Sequence, residues 1–192
     1  MQKLLLRSIG ILLGITYPFL VYFGIQRFNA SAFAIILLIA LAIRGYSTMA
    51  MLNFWQTASL ILLVTYSLVT AILNNQLMLL FYPVVASISI ACVFFVSLKD
   101  KQPLIEKFAE RMGEVINKHA QHYLYWLTFI WGMLLVINGV IAAYTAFYLT
   151  LKQWALYNGF ISYILFGSFF VIELIFRHFY KKHKKNQDAL DG

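Results

Sequence analysis

Charge is the scarcest property of this chain. Only 11% of its 192 residues are Asp, Glu, Lys or Arg, while 62% are hydrophobic. A soluble domain is roughly a quarter charged and about half apolar. A chain of this size with so little polar surface lacks the exterior that a soluble particle needs, so the composition points to an integral membrane protein. A single cysteine, Cys92, excludes an internal disulfide. Its place within an apolar run reads as a small buried residue. Acidic residues number only seven, and Glu173 alone lies inside a long apolar run. No Ser-His-Asp set, phosphate-binding loop, paired carboxylate or cofactor signature is present. The four histidines lack the further rigid ligands that a metal site wants. The reading is therefore a non-enzyme with no catalytic residue, no metal and no cofactor.

What is abundant is apolar sequence in long runs. A helix needs about 20 apolar residues to cross the hydrocarbon core. Six segments qualify: Ile9 to Ile25, Phe28 to Ile43, Phe54 to Leu73, Leu77 to Leu98, Tyr123 to Leu149 and Trp154 to Phe176. The second is short, and a five-span count is the alternative. With the N-terminus in the cytoplasm, the six-span arrangement puts every basic residue except Arg27 and Lys152 on the inner side. That asymmetry follows the positive-inside rule. The fold class is thus all-α: a polytopic membrane bundle over residues 1–192, with both termini cytoplasmic. The net charge of +8 is explained by this topology rather than by nucleic acid.

Two further segments stand apart. Residues 99–122 read as one cytoplasmic amphipathic segment, with Pro103 in its first turn. Leu104, Ile105, Phe108, Met112, Val115 and Ile116 share an apolar face, suited to the membrane surface, the underside of the bundle or a protein partner. Glu106, Glu110 and Glu114 read as a solvated stripe. Residues 177–192 form a basic tail, where Lys181, Lys182, Lys184 and Lys185 suit anionic lipid headgroups.

Within the spans, small residues mark candidate packing faces: Gly10 and Gly14 in the first, Gly139 and Ala143 in the fifth. Such faces leave a homo-oligomer open. Tyr17-Pro18 and Tyr82-Pro83 read as kinks. Asn138 lies mid-span, where a polar group either lines a path or bonds a neighbouring helix. Glu173 precedes Arg177 by four residues, the spacing of a favourable helix pair at the interface. The competing reading is a proton-carrying or substrate-binding carboxylate.

The second half also resembles a known family. QPLIEKF follows the fourth span; WGMLLVINGVIAAYTAFYLTLKQWALYNG then carries Trp131, Gly139, Tyr144, Ala146-Phe147, Leu149, Trp154 and Gly159, and the last span ends in Arg177-His178. Over residues 80 to 180 this pattern resembles the bacterial intracellular septation protein A family. It is also similar to a related group of small membrane proteins associated with aryl polyene lipid gene clusters. The resemblance implies a bacterial inner-membrane protein linked to septation or cell-envelope biogenesis, with envelope or lipid-synthesis proteins as partners. Two functions follow as expectations: a non-enzymatic scaffold, or a transporter or flippase for a lipid-like product.

Overall fold

The computed structural model describes residues 16–48, 52–100, 102–113, 116 and 118–188, and their regular structure is entirely helical. A chain segment in hydrocarbon must satisfy its backbone groups internally, so long apolar runs become helices. The described part of α1 covers residues 16–24. It is followed by α2 (Ala30–Thr48), α3 (Phe54–Leu73), α4 (Gln76–Ser97) and the short α5 (Leu104–Arg111). α6 (Lys118–Tyr148), α7 (Leu151–Leu156), a π turn (Tyr157–Ile161) and α8 (Ser162–Asp188) complete the chain. Four helical stretches are long and apolar enough to cross a membrane: Phe54–Leu73, Gln76–Ser97, Ala120–Tyr148 and Leu151–Arg177. The apolar part of α2, Ala30–Tyr46, is shorter. Of the first expected span, only the part from residue 16 onward is described, and Gly10 and Gly14 lie outside the described residues.

Local signals fix the helix ends. Asn53 and Gln56 form a capping box at the start of α3, and Thr150 and Gln153 form another at the start of α7. Between α3 and α4, Asn74 adopts the left-handed conformation (φ 48°), and Asn75 caps α4 through Met78 N. The Asn74 side chain also accepts a hydrogen bond from Ser31 N at 2.9 Å, which ties this turn to the start of α2.

The helices alternate in direction. α4 and α6 run antiparallel: Phe147 meets Phe81, Gly139 meets Ile88 and Gly132 meets Phe95. α8 runs antiparallel to α6 through large side chains. Trp131 stacks on Phe166 at 6.1 Å, and Tyr123 stacks on Phe176 at 6.0 Å. One buried cluster joins Tyr17 and Val21 of α1, Phe33 and Leu37 of α2, Leu79 of α4 and Trp154 of α7.

Three expectations change. Residues 99–122 are not one amphipathic unit. α5 ends at Arg111, and Gly113 at φ 86° takes a conformation that an L side chain rarely adopts, so the chain breaks before α6 begins. Glu106 is not solvated: it is 1% exposed. Cys92 is not buried: it is exposed on the outer side of α4, one turn beyond exposed Ile88.

Candidate functional site

The proline in α4 frees a backbone carbonyl around which side chains of other helices gather. Pro83 has no N–H, so the carbonyl four residues earlier, that of Leu79, loses its helical donor. Tyr17 Oη supplies one instead, donating to Leu79 O at 2.6 Å. The neighbouring carbonyls are also reached from other helices. Trp154 Nε1 donates to Leu80 O at 3.0 Å, and Tyr66 Oη donates to Met78 O at 2.8 Å. Side chains of α1, α3 and α7 thus converge on one turn of α4. The Tyr17 ring packs edge-on against Tyr82, 5.3 Å between centroids, and against Trp154 at 6.3 Å. The two Tyr-Pro pairs seen in the sequence therefore bring their tyrosines together.

A polar seam runs alongside. Asn138 of α6 donates through Nδ2 to Ser87 Oγ of α4 at 2.9 Å, and its Oδ1 accepts from Tyr157 Oη in the π turn at 3.0 Å. Asn158 donates to Trp154 O at 2.9 Å and to Thr145 Oγ1 at 3.2 Å. Ser162 Oγ donates back to Asn158 O. Asn138, Tyr157 and Asn158 are all buried. The π turn widens the last span where Gly159 meets Phe19; a Cβ there would lie 2.8 Å from Phe19 Cε2. π turns inside α-helices recur at functional sites. Ser67 Oγ on α3 is the one buried side-chain polar atom among the described residues that has no hydrogen-bond partner.

Gly139 packs where a Cβ would come within 2.9 Å of Ile88 Cδ1 and 3.5 Å of Ser87 Cβ, so α4 and α6 approach closely. Gly132, one heptad earlier and missed in the sequence, does the same against Phe95 at 2.8 Å. Ala143 is partly buried, while its neighbour Ala142 is fully buried.

Glu173 faces α6. Tyr123 Oη donates to Glu173 Oε1 at 3.1 Å, and Tyr123 also lies within electrostatic reach of Arg177. Tyr123 is thus a further partner of the Glu173–Arg177 end of α8. The helix continues beyond Arg177 to Asp188 and includes Lys181, Lys182, Lys184 and Lys185.

The expected apolar face of residues 104–116 is divided. Leu104 and Ala109 are buried, and Ala109 packs with Leu124 and Leu127 of α6, with Ile105 and Ile116 against that cluster. Leu104 N donates to Ser97 Oγ at 3.1 Å, which ties α5 to the end of α4. Phe108 and Met112 are exposed, and Val115 lies outside the described residues. Gln121 Nε2 of α6 donates to Glu106 Oε1 at 3.4 Å. Burial pushes the Glu106 carboxyl up; the Gln121 amide opposes the shift and nearby Glu110 adds to it. His122 lies on α6, where its Nε2 accepts from Trp126 Nε1 at 3.1 Å.

These contacts define a helical protein with helices long and apolar enough for a membrane, in which Ser87, Asn138 and Tyr157 bond one another between helices. No protein-family model, curated protein or solved structure matches the chain.

Proposed function

We propose that this chain is a six-span bacterial inner-membrane protein with cytoplasmic termini that supports cell-envelope biogenesis or septation as a non-enzymatic scaffold. The distribution of basic residues supports the orientation. The resemblance over residues 80 to 180 supports the envelope setting. The observation that carries the scaffold reading is the use made of the intramembrane polar groups. Ser87, Asn138 and Tyr157 bond one another across three elements, and Asn158 bonds Thr145 and the Trp154 carbonyl. Such bonds hold helices in register. The last stretch, Leu151–Arg177, is the least buried of the four long spans, and α8 continues beyond it as a basic helix. It offers partners an apolar flank in the bilayer, and the lysine-rich sequence of its continuation suits anionic headgroups. Affinity capture of the full chain in mild detergent tests this reading. Envelope or lipid-synthesis proteins co-purify if it holds; their consistent absence contradicts it.

One observation favours transport of a lipid-like product as a second reading. The π turn sits beside Asn138 in the last span, a local irregularity of the kind found at functional sites. Sidedness of such a product across the inner membrane separates the two readings.

A further inference from the structure

The exposed aromatic residues include a group at each end of the bundle. On the side where α5 lies, Tyr46, Phe54, Trp55, Tyr125 and Trp126 are exposed. At the opposite end, Phe23, Phe28, Tyr144, Phe147 and Tyr148 are exposed. Along α6, Trp126 is separated from Tyr144 and Tyr148 by about 27–33 Å, at 1.5 Å per residue. That separation matches a hydrocarbon core of about 30 Å, and aromatic rings collect at its two boundaries.

α5 is fixed at the level of the first group. Ala109 packs against Leu124 and Leu127, the residues that bracket Tyr125 and Trp126. Ser97, at the end of α4, holds the first turn of α5. In a bilayer bounded by these two groups of rings, α5 would lie at the boundary between headgroups and acyl chains. Its open apolar residues are Phe108, 47% exposed, and Met112, 84% exposed. At about 100° per residue, Glu110 projects from the opposite side. Lys107 is paired with Asp100 at 2.7 Å, and Gln102 donates to Glu110 at 2.9 Å, so the polar flank is largely satisfied within the protein.

We infer that α5 is an interfacial helix whose Phe108 and Met112 insert into the lipid leaflet on its own side of the bundle. The occupant of this face is lipid, because the face is apolar and α5 is docked on α6 at the level of the exposed Tyr125 and Trp126 rings. Insertion is driven by apolar contact, about 5–10 Å into the boundary region. The inference stands apart from the scaffold reading, since it concerns how the bundle is seated and not what it recruits.

Nitroxide accessibility tests it on the full chain in phosphatidylcholine vesicles. The exposed Cys92 is first replaced (Cys92→Ser), and single labels are placed by Met112→Cys, Phe108→Cys and Glu110→Cys. Met112 is almost fully exposed, so its replacement disturbs little packing even if Phe108→Cys proves unstable. The expected result is an oxygen-to-nickel-chelate accessibility ratio severalfold higher at 112 and 108 than at 110. Equal ratios at 112 and 110, with the nickel chelate reaching both, would overturn the inference and leave this face open to an aqueous protein partner.

Discussion

Replacing Tyr17 with Phe isolates a single hydrogen bond, because the ring contacts with Tyr82 and Trp154 are kept. The lost hydroxyl is the donor to Leu79 O, the carbonyl that Pro83 deprives of its helical partner. A net hydrogen bond contributes about 0.5–1.5 kcal/mol, and a buried group left unpaired costs about 1–3 kcal/mol. Tyr17→Phe is therefore expected to destabilise by about 1–3 kcal/mol. Pro83→Ala restores an N–H that can reach the same carbonyl, so in that background the loss should shrink by about 1 kcal/mol. A double-mutant cycle by equilibrium unfolding in mixed micelles reads this coupling. Independent sites add to within about 0.3–0.5 kcal/mol. Equal costs of Tyr17→Phe in both backgrounds would refute the claim that Tyr17 serves the carbonyl freed by proline.

Gly139→Leu should destabilise by about 1–3 kcal/mol through overpacking against Ile88 and Ser87, and Gly139→Ala by less, because the Ile88 end can move; unfolding in micelles measures both. The raised Glu106 pKa means that the protonated carboxyl suits the docked α5 better than the charged one. Its contribution is fully present below the ordinary carboxylate pKa and is lost as pH rises through the raised folded value. Amide protection of Leu104–Arg111, corrected for intrinsic exchange, should fall over that window, and Glu106→Gln should remove the dependence. Glu173→Gln should leave stability within about 0.5 kcal/mol, since an amide oxygen still accepts from Tyr123, whereas Glu173→Leu should cost about 1 kcal/mol. A Glu173→Gln variant that fully replaces the wild-type protein in an assay of the proposed function would rule out proton carriage by this residue.

Four long apolar helices were legible because a run of apolar residues in a bilayer has little choice but to be a helix. Phe54 to Leu73 was read to the residue. Which face of such a run turns inward was not legible: with apolar residues all round there is no stripe to read, so Cys92 was expected inside and lies outside. Partners distant in sequence were equally hidden. Asn138 was marked as a polar group in mid-span, but Ser87 and Tyr157, 51 and 19 residues away, became visible only with the packing. Pro83 signalled a kink, whereas the donors Tyr17 and Trp154 came from other helices. Between α5 and α6 the sequence did hold a warning. Gly113 follows the last basic residue of α5, a pattern of helix termination, and the apolar spacing on either side masked it.

The central claim is that the polar groups inside the bundle fasten helices and do not form a transport path. Its most direct measurement is the distribution of newly made envelope lipid across the inner membrane, with the gene intact, deleted, or carrying Asn138→Leu at matched folded levels. Asn138→Leu removes both bonds of the seam's central residue. The account predicts the same sidedness in all three strains. Loss of translocation on deletion, reproduced by folded Asn138→Leu, would contradict it and assign the seam to transport.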